Sequence, residues 1–234
     1  MPRILHIETA TQVCSLALSE RGQLKFLRES SQKNIHSSVV TVFIEEMMRE
    51  SGWPFISLDA VSVSMGPGSY TGLRIGVSTA KGICYALDKP LIAIGTLQAM
   101  AAGMAGMESL PTGTPSLFCP MIDAKRMEVY SALYDQGLHP VREILAEIIT
   151  EESFTEELRD HTVVFAGDGA AKCKPLLQNH PNAVFLDDFR PSAKFMIPLA
   201  EEKFRRQQFE NTAYFEPFYL KDFIPGIPRV KGLA

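Results

Sequence analysis

A duplicated, two-lobed α/β fold is the architecture this sequence predicts, on three observations. Apolar runs of strand length alternate with amphipathic stretches of helical length along both halves of the chain. Residues 107–115, MESLPTGTP, concentrate Pro, Gly and Ser/Thr between those halves. A shift of 115 residues (122 minus 7) lays ILHIETATQVCSLALSERG at 4–22 over CPMIDAKRMEVYSALYDQG at 119–137. Ile7 then meets Ile122, Glu8 meets Asp123, Ala17 and Leu18 meet Ala132 and Leu133, and Gly22 meets Gly137, all without a gap. A period near half the chain length marks a duplication, because solenoid repeats are shorter. The expected lobes are 1–108 and 116–234.

The front lobe opens with apolar runs at 4–8 and 14–19, two strands flanking a polar turn. Glu20, Arg21 and Gly22 mark a hairpin into a weaker strand at 24–29. Polar SSQKN precedes a helix over 36–50, stopped by Ser51, Gly52 and Pro54. Residues 59–65 read as a buried strand running into GPGSYTG and a second helix over 73–87. A strand at 91–94 and a helix over 96–107 complete the lobe. In the back lobe a strand at 141–150, a short helix at 153–159 and a strand at 162–166 follow the repeated opening. GDGAAK then leads into a helix to about 178, a strand at 183–186 and an amphipathic helix over 192–208. The tail PFYLKDFIPGIPRVKGLA starts extended and ends in the Pro and Gly of a loose terminus.

Composition narrows the function classes. Hydrophobic residues make up 46% and charged residues 21% of 234, enough for a packed core and too apolar for a disordered chain. Lys plus Arg number 23 against 27 Asp plus Glu, a formal charge of −4, so the whole surface is no polyanion binder. Nucleic-acid contact would need a local basic patch or a partner carrying the charge. Cys14, Cys84, Cys119 and Cys173 lie far apart in apolar runs, which argues against zinc or a disulfide framework. MPRILHIETA is too short and too soon acidic for a signal peptide, and no stretch approaches about 18 uncharged apolar residues. A soluble, reduced, cytoplasmic protein is expected, with no membrane partner.

GPGSYTGLRIG at 66–76 is the most conspicuous motif. A strand, a Gly-rich turn and a helix start suit an anion, with Gly66, Gly68 and Ser69 at the turn. The spacing is neither a Walker loop nor a Rossmann fingerprint, and a tight turn is the alternative reading. In the helix that follows, Gly72, Gly76 and Ala80 recur every fourth residue, as do Ser78, Gly82 and Ala86. Interior glycines cost about 1 kcal/mol each relative to Ala, which a sequence keeps where backbones approach closely. The preceding helix carries Val39, Val40, Val42, Phe43, Ile44, Met47 and Met48, more apolar arc than one core face needs. Either its own domain or a partner covers that surplus.

Glu8 and Asp123, at matched strand ends, are expected to face each other across a cleft and hold a magnesium nucleotide, or to accept turn N–H bonds. His36 lacks a second His at i+4, where Val40 stands, so no metal site is expected. No Ser/His/Asp or Cys/His set is recoverable. Lys203, Arg205 and Arg206 read as a solvated helix face.

Taken together, ILHIETAT…CSLAL, GPGSYTGLRIG with its helix, IDAKRMEVY (122–130) and YLK (219–221) resemble the TsaB (YeaZ) family, from residue 1 to about 221. Glu8 stands where relatives commonly have Asp. The resemblance implies an actin/Hsp70-like two-lobed fold of the ASKHA, ribonuclease H-like class. It implies a bacterial, non-catalytic scaffold subunit for threonylcarbamoyladenosine, the nucleoside beside the anticodon of tRNA. The catalytic paralogue TsaD would pair with it through the first two long helices, and the ATPase TsaE would join them. ATP and Mg²⁺ would be used by the complex, tRNA reached through it, and a homodimer formed in the partner's absence. The implied interface is His36, Val39, Val40, Phe43, Met47, Leu73, Arg74, Gly76, Val77, Ala80, Lys81 and Gly82. A vestigial nucleotide or anion site would comprise Glu8, Thr9, Gly66, Gly68, Ser69, Asp123, Gly167 and Gly169. The paralogue's metal-binding HxxxH falls on His36 and Val40, so one ligand is missing. Bulky Lys125, Arg126 and Met127 stand where nucleotide-binding lobes of this fold place small residues, which argues against ATP. The alternatives are an ATPase or small-molecule kinase of the same fold, or a glycoprotease-like peptidase.

Overall fold

The computed structural model describes residues 2–32, 35–107 and 116–221. The linker segment lies outside them from 108 on, as does the tail from 222. Strands β1 (Arg3–Glu8), β2 (Cys14–Glu20), β3 (Gln23–Ser30), β4 (Ala60–Gly66) and β5 (Leu91–Gly95) form one sheet in the order β3-β2-β1-β4-β5. Helices α1 (His36–Ser51) and α2 (Tyr70–Leu87) cover its outer face. Strands β6 (Ser116–Asp123), β7 (Glu128–Tyr134), β8 (Pro140–Ile148), β9 (Thr162–Ala166) and β10 (Ala183–Leu186) repeat that order as β10-β9-β6-β7-β8. Their outer face carries α4 (Thr155–Asp160) and α5 (Asp168–Leu177). In both sheets the first strand pairs antiparallel with the second and parallel with the fourth. The duplicated, two-lobed α/β class is therefore the one the chain adopts.

Between the sheets lies a shared helical layer. Helix α3 (Thr96–Ala105) sends Leu97, Met100 and Met104 onto the back sheet at Phe118 and Val164, while its Ala99 meets the front sheet's Ile92 and Ile94. A 3₁₀ turn at Ala193–Met196 and α6 (Ile197–Arg205) belong to the back half by sequence. Their Ala193, Met196 and Ala200 nevertheless pack on Ile4, Ala17 and Ala60 of the front sheet. A boundary at 108/116 thus separates the sheets but not the helices, because the inner face of each sheet needs cover that the other half supplies. Among the described residues no helix is long and apolar enough to cross a membrane.

The internal repeat is real in topology but slipped by one residue. Leu5 and Ile7 face α1 and α2, whereas Ile4 lies on the inner face, and alternation puts Glu8 there with it. In β6 the outward residues are Leu117, Cys119 and Met121, so Ile122 faces inward and Asp123 outward. Matching outer face to outer face sets Ile7 on Met121, not on Ile122. Glu8 then corresponds to Ile122, and Asp123 to Thr9. The gapless alignment of Glu8 on Asp123 hid this, because a one-residue slip flips every side chain to the other face.

Candidate functional site

The β1–β2 turn and the Gly-rich loop are built against each other. The Glu8 carboxylate accepts the Ala10 N–H (2.7 Å) and bonds the Ser64 hydroxyl, and it is buried. Burial pushes its pKa up from 4.5 to about 7 against those two hydrogen bonds. Ser69 donates its N–H to the Ala10 carbonyl (2.6 Å), while its hydroxyl accepts the Gly72 N–H (3.3 Å) and caps α2. A Cβ on Gly68 would lie 2.3 Å from the Ala10 carbonyl oxygen, and one on Gly72 would lie 2.0 Å from that of Thr9. Gly66, at φ +113°, leaves equally little room beside the Phe218 carbonyl. The glycines and two of the loop's N–H groups are therefore spent on the chain's own packing, which is the tight-turn reading of GPGSYTG.

On the back lobe, Asp123 accepts the Lys125 N–H (2.9 Å) and the Lys172 ammonium (2.5 Å), and its own N–H donates to Asp168 (2.9 Å). Lys172 also donates to the Arg126 and Glu128 carbonyls (3.1 and 2.6 Å). Burial raises the Asp168 pKa, opposed by the backbone hydrogen bond from Asp123. A Cβ on Gly167 would sit 2.2 Å from the Met121 carbonyl oxygen, and Gly169 presses against Ile122, so GDGA is also a close-packed turn. The expectation that Glu8 and Asp123 face each other across a cleft is corrected. Glu8 is sealed in the front lobe, whereas Asp123 does line the interlobe cleft, tied there to Lys172 of α5.

A cleft of about 860 Å³ does run between the lobes, past Gln12, His36, Ser69, Tyr70, Lys125, Arg126, Tyr130, Tyr219 and Lys221. The segment after α6 straps across it. Glu210 bridges to Leu91, Lys81 donates to the Ala213 and Phe215 carbonyls (3.3 and 3.0 Å), and the Phe218 N–H donates to Met65 (2.7 Å). Tyr219 then packs its ring against Tyr70 at 4.9 Å, tilted by 39°, and Lys221 reaches Glu128 and Tyr130 on the back lobe.

On the outer face of the front lobe, Val40, Met47, Leu73, Val77 and Ala80 are buried in their own lobe's core, and Gly76 is buried against Thr9. These six are corrected as partner contacts: the front sheet already covers them. Val39 and Phe43 are half-buried, as is His36, which lines the cleft instead. Lys81 is held by the strap. Arg74 and Gly82 are exposed, Gly82 with nothing within 4 Å of a Cβ. Two residues outside the expected interface stand out, Val42 at 46% and Tyr85 at 87% exposure.

A family model described as "TsaD: tRNA N6-adenosine threonylcarbamoyltransferase" matches residues 29–225. The protein named tRNA threonylcarbamoyladenosine biosynthesis protein TsaB in Haemophilus influenzae is 28% identical over 228 residues, covering 94% of this chain and 93% of its own. Its namesake in Escherichia coli K12 is 27% identical over 225 residues, covering 94% and 95%. The chain belongs to the TsaB (YeaZ) family. A solved structure described as YeaZ from Pseudomonas aeruginosa superposes with a TM-score of 0.81 at 22% identity, covering 94% of this chain and all of that one, and so shares the fold.

Within this chain the sequence reading missed the Tyr70–Tyr219 ring contact and the exposed Tyr85. Sequence spacing holds no signal for the first, since its partners lie 149 residues apart (219 minus 70). The second was legible: Tyr85 sits three residues after Gly82, on the same stripe as Ser78 and Ala86.

Proposed function

We propose that the chain is a non-catalytic subunit in making threonylcarbamoyladenosine in tRNA, pairing with the catalytic paralogue TsaD, with TsaE joining the pair. The observation that carries this reading is the outer face of α1 and α2. There Val42 projects from α1 next to half-buried Val39 and Phe43, Tyr85 projects from α2, and Gly82 leaves open space for a close helix. Tyr is a frequent hot spot of interfaces, and an open glycine in mid-helix costs stability that docking offsets. Family membership supports the pathway. Chemistry is assigned to the partner because the carboxylates available here are engaged: Glu8 is buried, and Asp123 is paired with Lys172. ATP and Mg²⁺ then belong to the complex, tRNA is met through it, and the setting is the cytoplasm. Without TsaD, the same face suits a homodimer.

Reconstituted tRNA modification with TsaD and TsaE tests the reading. Omitting this chain should abolish the product, while Asp123→Asn should leave it intact. Loss of modification by Asp123→Asn in a folded, paired complex would assign chemistry to this chain instead.

A further inference from the structure

We propose that the mouth of the interlobe cleft is a contact site for single-stranded RNA. The choice of RNA among base-bearing ligands rests on the reading that the chain works on tRNA. Cations and rings alternate along this mouth from one lobe to the other. The Arg74 guanidinium lies 5.4 Å over Tyr70, Tyr70 meets Tyr219 at 4.9 Å with the rings tilted by 39°, and the Lys221 ammonium lies 6.0 Å over Tyr130. Tyr219 is 38% exposed. Rings interleaved with cations are the platform on which unpaired bases stack while their phosphates are neutralised.

The turn after β6 adds a second, independent observation. Lys125 and Arg126 are consecutive, exposed and both left-handed, at φ +67° and +55°. Long side chains rarely adopt that region, and such strain persists where the surroundings enforce it. Here the Asp123 carboxylate holds the Lys125 N–H, Lys172 holds the Arg126 carbonyl, and Glu128 donates its N–H to the Lys125 carbonyl (3.2 Å). The turn is thus pinned in a shape that displays two adjacent cations beside the cleft. Arg74, Lys125 and Arg126 make no ion pair among the described residues, whereas the neighbouring acids Asp123 and Glu128 are paired with Lys172 and Lys221. Asp168 accepts the Asp123 N–H. Asp168 is the acid of this lining left without an ion pair among the described residues, so Arg74, Lys125 and Arg126 still leave the mouth positive although the chain as a whole carries −4. That is a local patch, not a general polyanion surface.

The test is fluorescence anisotropy of the full-length chain with a labelled single-stranded RNA of about ten nucleotides. The same sequence as a duplex, and ATP as a competitor, form the other arms. Single-strand binding should weaken with salt, and Lys125→Glu with Arg126→Glu should flatten the log–log salt slope by about 1.4, two phosphates at about 0.7 each. Tyr219→Ala should weaken binding roughly tenfold or more, and Tyr219→Phe should restore it. The double charge variant lies on an exposed turn and should still pair with TsaD, which separates this site from the helix face. If Tyr219→Ala fails to fold, the charge variant decides alone. Equal affinity for duplex, no binding at low salt, or charge variants that bind like the native chain would overturn the proposal. So would full displacement of the RNA by ATP, which would mark a mononucleotide pocket.

Discussion

Thr9 and Gly76 meet so closely that a Cβ on Gly76 would lie 2.2 Å from the Thr9 hydroxyl oxygen. Gly82, on the exposed side of the same helix, has nothing within 4 Å of that position. The two interior glycines of α2 therefore mean different things. Gly76→Ala should destabilise by about 1–3 kcal/mol through overpacking. Gly82→Ala should stabilise by about 0.5–1 kcal/mol through helix propensity. Urea unfolding of both variants checks the pair, and shifts of the same sign would contradict it.

Two buried titratable groups on β1 should oppose each other. His6, held between the Ser62 and Ser19 hydroxyls (2.7 and 2.8 Å), has its pKa pushed by burial from 6.5 to about 3. The unfolded chain therefore takes up a proton that the folded chain refuses, and stability falls as pH drops below 6.5. Glu8 rises from 4.5 to about 7, so the folded chain keeps a proton the unfolded chain has lost, and stability falls as pH rises from 4.5 to 7. Between pH 4.5 and 6.5 the two slopes cancel. Glu8→Gln removes one of them: it should gain about 1–3 kcal/mol at pH 8 and little at pH 4, and lose stability on acidification through 6.5. Guanidinium titrations across that range measure it, and a pH-independent difference from the native chain would rule it out.

Lys172 ties the Asp123 carboxylate to the Arg126 and Glu128 carbonyls with one ammonium. Lys172→Met keeps the stem and deletes the donor, and should cost about 1–2 kcal/mol, discounted because Asp123 is partly exposed. Amide exchange at Lys125–Glu128 should quicken in step. An unchanged melting point would show that backbone bonds alone hold this turn.

Most elements were readable within two or three residues of their ends, because apolar period and turn residues act locally. Faces were less readable. Glu8 and Asp123 share a strand end but not a side, and a gapless alignment cannot reveal a slip that only packing parity exposes. Val40, Ile44 and Met47 read as apolar surplus because periodicity shows that a side chain needs cover without saying which surface supplies it. Val42 and Tyr85 are what that cover leaves exposed. The exchange of α3 and α6 between the sheets, and the strap from Glu210 to Lys221, are long-range contacts that no local pattern encodes.

The pairing itself is best measured by titration calorimetry of the full-length chain with TsaD from the same organism. The native chain should bind and Tyr85→Ala should bind at least about tenfold more weakly. Gly82→Arg, with a native melting curve, should give no detectable heat of binding. A folded Gly82→Arg chain that pairs with full affinity would contradict the assignment of this helix face.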